Sequence, residues 1–279
     1  MAEKACSNTG CTKESCEGCP SAKQGQQSFA VELNVYSEVK HVIGVVSGKG
    51  GVGKSMVTAS LANELAAKGY RVGIMDADIT GPSIPRMYGL TGPAEADDNG
   101  ILPVFTDNGV KVMSINLLMP DPESPVIWRG PILANMVKQF WSDVIWGELD
   151  YLLVDMPPGT GDVPLTVFQS LPVDGILIVT SPQELVQMIV KKAYNMAKMM
   201  NIPVLGVVEN YSYLKCPDCG KEIPVFGKSK VDEAAGALGL PVAGKLPIEP
   251  SLTELSDAGA FAQARNPYLE GAVKAVQTL

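Results

Sequence analysis

Two groups of residues in this chain have types and spacings that chemistry can use. The first is Gly48-Lys49-Gly50-Gly51-Val52-Gly53-Lys54-Ser55, which fits the phosphate-loop pattern G-x-x-x-x-G-K-[ST]. Glycines let backbone N–H groups converge on phosphate oxygens with no Cβ in the way, and a helix starting here adds partial positive charge. Lys54 is placed to reach the β and γ phosphates, and the Ser55 hydroxyl to join Mg²⁺. The competing explanation is a chance glycine-rich turn. A full pattern match between an apolar run and a helical pattern favours a nucleoside triphosphate site. The second group is the six cysteines. Cys216 and Cys219 form a C-x-x-C in Tyr213-Leu214-Lys215-Cys216-Pro217-Asp218-Cys219-Gly220, and Cys6, Cys11, Cys16 and Cys19 crowd a polar N-terminal stretch. Ordinary cysteines are scattered, buried small hydrophobes. In a reducing compartment, these spacings point to metal or redox chemistry more than to disulfides.

Acidic residues complete the phosphate chemistry. Asp76 and Asp78 follow an apolar run in Asp76-Ala77-Asp78-Ile79-Thr80-Gly81-Pro82-Ser83, and Asp155 follows another in Asp155-Met156-Pro157-Pro158-Gly159-Thr160-Gly161-Asp162. An acid at the C-terminal end of a strand sits where open α/β sheets bind ligands. On this reading Asp155 holds Mg²⁺, directly or through water, Gly159 offers its N–H to the γ phosphate, and Asp78 orients the attacking water. The plainer alternative for each aspartate is a helix cap or turn.

The C-x-x-C supplies two thiolates, whereas a tetrahedral Zn²⁺ or a [4Fe–4S] cluster normally takes four. No second pair follows it, but a two-fold axis through the site would duplicate Cys216 and Cys219. Cys-Pro-Asp-Cys-Gly also has the form of a zinc-ribbon knuckle, so spacing leaves the metal open. A thioredoxin-like dithiol is a third reading, and the pair follows no appropriate βαβ start.

The elements that must position these groups follow from periodicity. Val42–Val46, Val72–Met75, Tyr151–Val154, Ile176–Val179 and Val204–Val208 are short, continuous apolar runs. Parallel strands covered on both faces look like this. Val57, Leu61 and Leu65 recur at helical spacing and end at Gly69; a second helix starts near Pro182 and carries Leu185, Met188 and Ile189 towards Met199. Further helices are expected near 230–239, 251–258 and 267–278. Alternating strands and helices predict one doubly wound, mostly parallel α/β domain over residues 39–279. Gly89 to Asp107, rich in Pro, Gly and Asp, reads as a loop or hairpin insertion. Residues 1–38 read as a flexible, cysteine-rich extension without enough apolar burial to fold alone.

Composition bounds the partners. The chain has 279 residues, with 22 Lys+Arg against 30 Asp+Glu and a formal charge of −8. That acidic balance argues against a general nucleic-acid binder, which needs clustered Lys and Arg. No apolar run is long enough to span a membrane. The N-terminal stretch lacks the apolar core of a signal peptide, so a cytoplasmic protein is expected. His41, the single histidine, precedes the first strand and reads as a surface or strand-edge residue rather than an acid–base catalyst. The methionines of Met196–Met200 read as helix packing, with Met199 and Met200 able to line a client or dimer surface.

Lys49 departs from the ordinary phosphate loop, which needs no lysine there. With it, the loop resembles the deviant Walker A group of P-loop ATPases, K-G-G-x-G-K-[ST]. That resemblance implies that Lys49 reaches across a homodimer to the partner's nucleotide, making Lys49, Lys54 and Asp78 the catalytic candidates. A solvated surface charge is its plainer role. The wider set is similar to the Mrp/ApbC family, related to the eukaryotic nucleotide-binding scaffold ATPases. It comprises the loop, Asp-Ala-Asp-Ile-Thr-Gly-Pro-Ser, Trp128-Arg129-Gly130-Pro131, Asp-Met-Pro-Pro-Gly-Thr-Gly-Asp, Glu209-Asn210 and Cys-Pro-Asp-Cys. The resemblance spans about residues 39–279. It implies a cytosolic homodimer that assembles a [4Fe–4S] cluster on Cys216 and Cys219 of both copies, passes it to apo-proteins, and gates the handover with slow ATP hydrolysis.

The same resemblance makes Asn210 the adenine-contacting asparagine and puts Pro247-Ile248-Glu249-Pro250 over the base. The Asn-Lys-x-Asp signature of guanine readers is missing, so ATP is the expected nucleotide. It leaves Trp128-Arg129-Gly130-Pro131 as either dimer surface or fold. Cys6, Cys11, Cys16 and Cys19 resemble the N-terminal ferredoxin-like site of the eukaryotic scaffolds, but their spacing, C-x4-C-x4-C-x2-C, departs from it. A second cluster, a Zn²⁺ ion and an unliganded tail all stay open. The alternative function is a ParA/MinD-like ATPase switch with structural zinc knuckles. Such switches usually carry a membrane-targeting amphipathic tail or a basic DNA face, and the C-terminal stretch from Asn266 to Leu279 is short of Lys and Arg for either. A nitrogenase-iron-protein-like reductase would use well-separated single cysteines.

Overall fold

The apolar runs become strands because their side chains alternate between two cores. The computed structural model describes residues 30–79, 81–119, 130–182 and 186–279, with Gly130 and Pro131 described by backbone only. The chain begins with β1 (Glu38–Ser47), α1 (Lys54–Ala67), β2 (Val72–Asp76) and α2 (Ile84–Met87). Four short strands follow: β3 (Ala96–Asp97), β4 (Gly100–Ile101), β5 (Val104–Phe105) and β6 (Lys111–Met113). Next come α3 (Gly130–Ser142), β7 (Glu148–Asp155), α4 (Asp162–Ser170), β8 (Gly175–Thr180) and α5 (Val186–Met199). The chain closes with β9 (Val204–Lys215), β10 (Glu222–Ile223), α6 (Val231–Gly236), β11 (Val242–Pro247), α7 (Pro250–Asp257) and α8 (Glu270–Val276).

The main sheet runs β9-β8-β1-β7-β2-β6-β5, and both β10 and β11 pair with β9. Neighbours from β11 through β6 are parallel, while β5 and β10 are antiparallel additions. Val42, Val46, Leu152, Val154, Ile176 and Ile178 face one core, which includes Val137 and Phe140 of α3, Val167 of α4 and Val190 of α5. Ile43, Val45, Leu153, Leu177 and Val179 face the other, with Leu61 and Leu65 of α1 and Val273 of α8. Helices therefore cover both faces, and a continuous apolar run is an alternation read against two partners. Each such fully buried side chain contributes about 1.5–3 kcal/mol relative to exposure.

Chain order reverses at the middle of the sheet. From β1 the chain crosses through α1 to β2, on the far side of β7; from β7 it crosses through α4 to β8, on the far side of β1. The crevice between the C-terminal ends of β1 and β7 is thus the topological switch point, the place where such sheets bind ligands. α1 ends where expected: Lys68 and Gly69 donate N–H groups to Leu65 and Ala66 carbonyls, with Gly69 at φ 89°.

The insertion between Gly89 and Asp107 contains the β3–β4 hairpin and β5. The segment before β1 lies on the domain: Val31 donates its N–H to the Ser170 carbonyl, and the Trp141 indole donates to the Val31 carbonyl. The expected helix near 267–278 is a 3₁₀ turn at Pro267–Leu269 followed by α8. Leu185, within the second expected helix, lies outside the described residues, as do Trp128 and Arg129; Gly130 and Pro131 open α3. Among the described residues, no helix is long and apolar enough to cross a membrane.

Candidate functional site

The glycine loop occupies the switch point. It leaves β1 at Ser47 and enters α1 at Lys54, with Gly51 at φ 77° and Gly53 at φ 76°. Gly53 is needed for room as well as conformation. A Cβ there would overlap the Asn210 amide nitrogen and stand 2.8 Å from Tyr211 Oη. The buried Asn210 donates from Nδ2 to the Val52 carbonyl at 3.0 Å. A cavity of about 290 Å³ opens over the loop, with Asp78, Ser83, Met87, Pro158 and Ser256 on its other walls.

Beneath the loop lies a compact set of charges. Asp155, fully buried, accepts hydrogen bonds from Ser55 Oγ at 2.6 Å and Thr58 Oγ1 at 2.8 Å, and pairs with Lys54 Nζ at 2.7 Å. Lys54 Nζ also lies 3.8 Å from Asp78 Oδ2. The register of β2 with β7 puts Asp76 directly opposite Asp155. Asp76 accepts from the Ser114 hydroxyl and the Asp78 N–H, both at 3.2 Å. Two buried carboxyls thus lie near one ammonium. Asp155 holds the lysine, and burial, followed by the negative charge of Asp155, pushes the Asp76 carboxyl up to about 8. Lys54 offsets only part of that rise.

The loop after β7 is tied to β1. Gly159, at φ 91°, donates its N–H to the Ser47 carbonyl at 2.8 Å. In this conformation that N–H is engaged within the chain, so offering it to a phosphate requires this bond to open. Thr58 and Ser114 are site residues that motif reading missed, and Tyr211 abuts the loop from β9 without lining the cavity. Thr58 alone left a signal: it lies one helical turn after Lys54, on the same face of α1.

The cysteine pair lies at the turn between β9 and β10. Cys216 donates its N–H to the Lys221 carbonyl and accepts at its own carbonyl from the Gly220 N–H, both at 2.9 Å. The backbone N–H groups of Cys219 and Asp218, together with the Cys219 side chain, hold the Cys216 thiol below its ordinary range. Both thiols are free of disulfides, with Cys216 half-buried and Cys219 exposed. Among the described residues, no three His, Cys, Asp or Glu side chains are grouped to hold a metal ion, so this turn supplies two thiolates by itself. Ile223, Val225 and Phe226 stand exposed beside it. Cys6, Cys11, Cys16 and Cys19 lie outside the described residues. His41 stacks on Tyr151 at 5.5 Å and lies 3.9 Å from Asp174, in the N-terminal half of β1 and away from the loop. Met196 is buried, whereas Met199 is 82% exposed.

A glycine loop between a central parallel strand and its helix, backed by an acid on the adjacent strand, defines a P-loop NTPase. The chain belongs to the ParA family described as NUBPL iron-transfer P-loop NTPases, which it matches over residues 38–279. It is 49% identical over 263 residues to an iron-sulfur cluster carrier protein of Clostridium perfringens, covering 89% of this chain and 92% of that protein. It is 48% identical over 250 residues to one from Methanocaldococcus jannaschii, covering 86% and 84%. Among solved structures, a nucleotide-binding protein of Archaeoglobus fulgidus in complex with ADP, with cobalt found by PIXE, superposes with a TM-score of 0.75. Its identity is 44%, over 83% of this chain and 91% of that one. The MinD cell division protein of Aquifex aeolicus shares the fold, with a TM-score of 0.58 at 21% identity over 85% and 95%.

Proposed function

We propose that this protein is an ATP-dependent iron–sulfur cluster carrier. The observation that carries the reading is that one strand, β9, serves both sites: Asn210 touches the P-loop and Cys216 directly follows the strand's last residue, Lys215. The names of the C. perfringens and M. jannaschii relatives, and the ADP bound in the A. fulgidus structure, support the two halves. Two thiolates complete a four-thiolate set only when a second copy brings its own Cys216 and Cys219. The working form is therefore a homodimer bridging one [4Fe–4S] cluster, which is cargo passed to client apo-proteins in the cytoplasm. No membrane or nucleic acid takes part.

At the nucleotide site, the backbone N–H groups of Gly48 to Gly53 receive phosphate oxygens, Lys54 turns from Asp155 to the β and γ phosphates, and Asn210 contacts the adenine. That turn strips Asp155 of its cation. A buried carboxylate keeping only two hydroxyl donors needs a replacement cation, and oxygen ligands suit Mg²⁺. Ser55 and Asp155 would hold the ion, Asp155 directly or through water, and the ion would neutralise phosphate charge. Asp78 orients the attacking water, and Lys49 stabilises charge on the partner's nucleotide. Aspartate is the strongest base at hand, so turnover is slow.

Anaerobic purification, followed by iron, sulfide and zinc analysis and Mössbauer spectroscopy, tests the reading. About two irons per monomer with matching sulfide correspond to the bridging site alone; about six add a cluster on Cys6, Cys11, Cys16 and Cys19. Zinc without sulfide, persisting after reconstitution with iron and sulfide, would overturn the carrier reading. The ParA/MinD-like switch has the shared fold in its favour and no site of its own.

A further inference from the structure

The strand that joins the two sites carries an unusual residue at the point where it touches the P-loop. Tyr211 has φ 58°, one of two non-glycine residues with positive φ among those described. A tyrosine is held in this conformation only where its surroundings over-determine it, and such residues cluster at switch regions. The surroundings are specific. Tyr211 Oη and Cζ lie 2.8 and 3.3 Å from where a Gly53 Cβ would stand, so the ring end abuts the loop backbone. Asn210, its neighbour, holds the Val52 carbonyl. A side-chain brace spans the kink: Ser212 Oγ donates to the buried Glu209 carboxylate at 2.5 Å, and Ser229 Oγ donates to the same carboxylate at 3.0 Å. Beyond the kink, the Tyr213 carbonyl accepts the Ile248 N–H at 2.7 Å, and the strand runs on to Cys216.

We infer that Tyr211 is a positioning residue that transmits the state of the P-loop to the Cys216–Cys219 turn. The inference rests on the carrier reading for its purpose, but not for its geometry. Phosphate entering the loop shifts the backbone at Val52 and Gly53. The ring end bears on that backbone, and the brace between Glu209 and Ser212 keeps the kink from absorbing the displacement. The last third of β9, from Ser212 to Lys215, then moves as one piece with the cysteine turn that follows it. Cys216 lies five positions beyond Tyr211, roughly 16 Å of extended chain, so the relay spans the distance without a side-chain pathway.

The test uses the cluster-free full-length protein, so a failure of the carrier reading, seen as zinc without sulfide, leaves it intact. Amide hydrogen exchange is followed over residues 213–222, without nucleotide and with saturating Mg-ADP or a non-hydrolysable ATP analogue. Binding affinity is measured on the same samples. In the wild-type chain, nucleotide changes exchange in this turn by about threefold or more. Tyr211→Phe keeps the ring and the response. Tyr211→Gly and Tyr211→Asn, which accept the left-handed backbone but lack the ring, bind nucleotide and lose the response. An exchange pattern in the wild-type chain indifferent to bound nucleotide would overturn the inference. So would a full response in either ringless variant, or loss of nucleotide binding in both, which would make Tyr211 part of the binding site instead of a relay.

Discussion

The P-loop cavity and the cysteine turn are built on opposite plans. The cavity lies at the centre of the sheet, between β1 and β7, and its charges are buried: Lys54 is 6% exposed and Asp155 not at all. Lys54, Ser55 and Thr58 all hold Asp155, so this charged set is formed within one chain before any ligand arrives. The turn lies at the sheet's edge, carried by β9 and the two-residue β10, with Cys219 and the apolar Ile223, Val225 and Phe226 open to solvent. It holds two free thiols beside exposed apolar side chains. A buried, satisfied site suits a small ligand that enters and leaves a fixed frame; an exposed half-site suits cargo that a second protein completes and another removes. A carrier needs both, because binding energy spent at the first must alter exposure at the second.

The sharpest way to separate the two regions is to remove one charge from the first. Lys54→Ala takes away the group that neutralises Asp155 and that is to hold the β and γ phosphates. ATP affinity is expected to fall by about 100-fold or more, roughly 2.7 kcal/mol, and nucleotide-dependent cluster transfer to stop. Iron content after reconstitution should stay at the wild-type value. Titration with ATP alongside iron analysis checks both halves; iron lost together with ATP binding would mean that the two regions are one site.

The reciprocal change is Cys216→Ala. With one thiolate of each copy gone, a bridging cluster has two ligands instead of four, and the iron assigned to that site should be lost. ATP affinity should stay within about twofold, because Cys216 lies six positions beyond Asn210, about 20 Å of extended chain. Iron retained in full by this variant would sink the bridging model outright. Iron falling only to the share held by the N-terminal cysteines would instead sharpen the comparison, by assigning that share to Cys6, Cys11, Cys16 and Cys19.

The two regions also differ in how far they could be read in the sequence. The glycine loop was legible because its chemistry is local: eight consecutive residues, a strand before and a helix after. Asp76 and Asp155 were legible as acids closing apolar runs. Their opposition was not, because it comes from the register of β2 against β7. Ser114 is 38 residues from Asp76 in sequence, and reaches it because β6, a three-residue strand too short to leave a periodic trace, lies parallel to β2. The Cys pair was legible by spacing. Its strand was read as Val204–Val208, yet it continues to Lys215, because Asn210-Tyr211-Ser212-Tyr213 breaks the apolar run. Polar and aromatic residues in mid-strand read as a loop unless the partners that hold them, here Val52, Gly53 and Glu209, are known. The helices α3 and α4 are amphipathic yet lie outside the elements expected from the sequence; the two-residue β10, and β11 with Gly244 and Lys245 interrupting its apolar residues, leave little periodic signal.

The smallest expected effect tests the electrostatic half of the comparison through pH. Asp76 is fully buried opposite Asp155, and its carboxyl is pushed up to about 8 by burial and by that neighbouring charge. In the unfolded chain the same carboxyl titrates near its ordinary value of 3.8. Between these two values the folded state therefore binds the extra proton, and linkage makes stability fall as pH rises through the window, by at most about 1.4 kcal/mol per pH unit from this group. The sign is opposite to that of a salt-bridged carboxylate, whose contribution grows with pH. Asp76→Asn keeps the shape and a hydrogen-bonding side chain but cannot ionise. Urea unfolding of both chains at pH 6, 7, 8 and 9 should show the wild type losing stability relative to the variant as pH rises, with the difference levelling off above about 8. Parallel curves would mean that Asp76 is ionised at neutral pH, and that Lys54 is shared between the two carboxylates instead of being committed to Asp155. The contrast between a lysine waiting on one acid and a turn waiting on a second chain would then have to be redrawn.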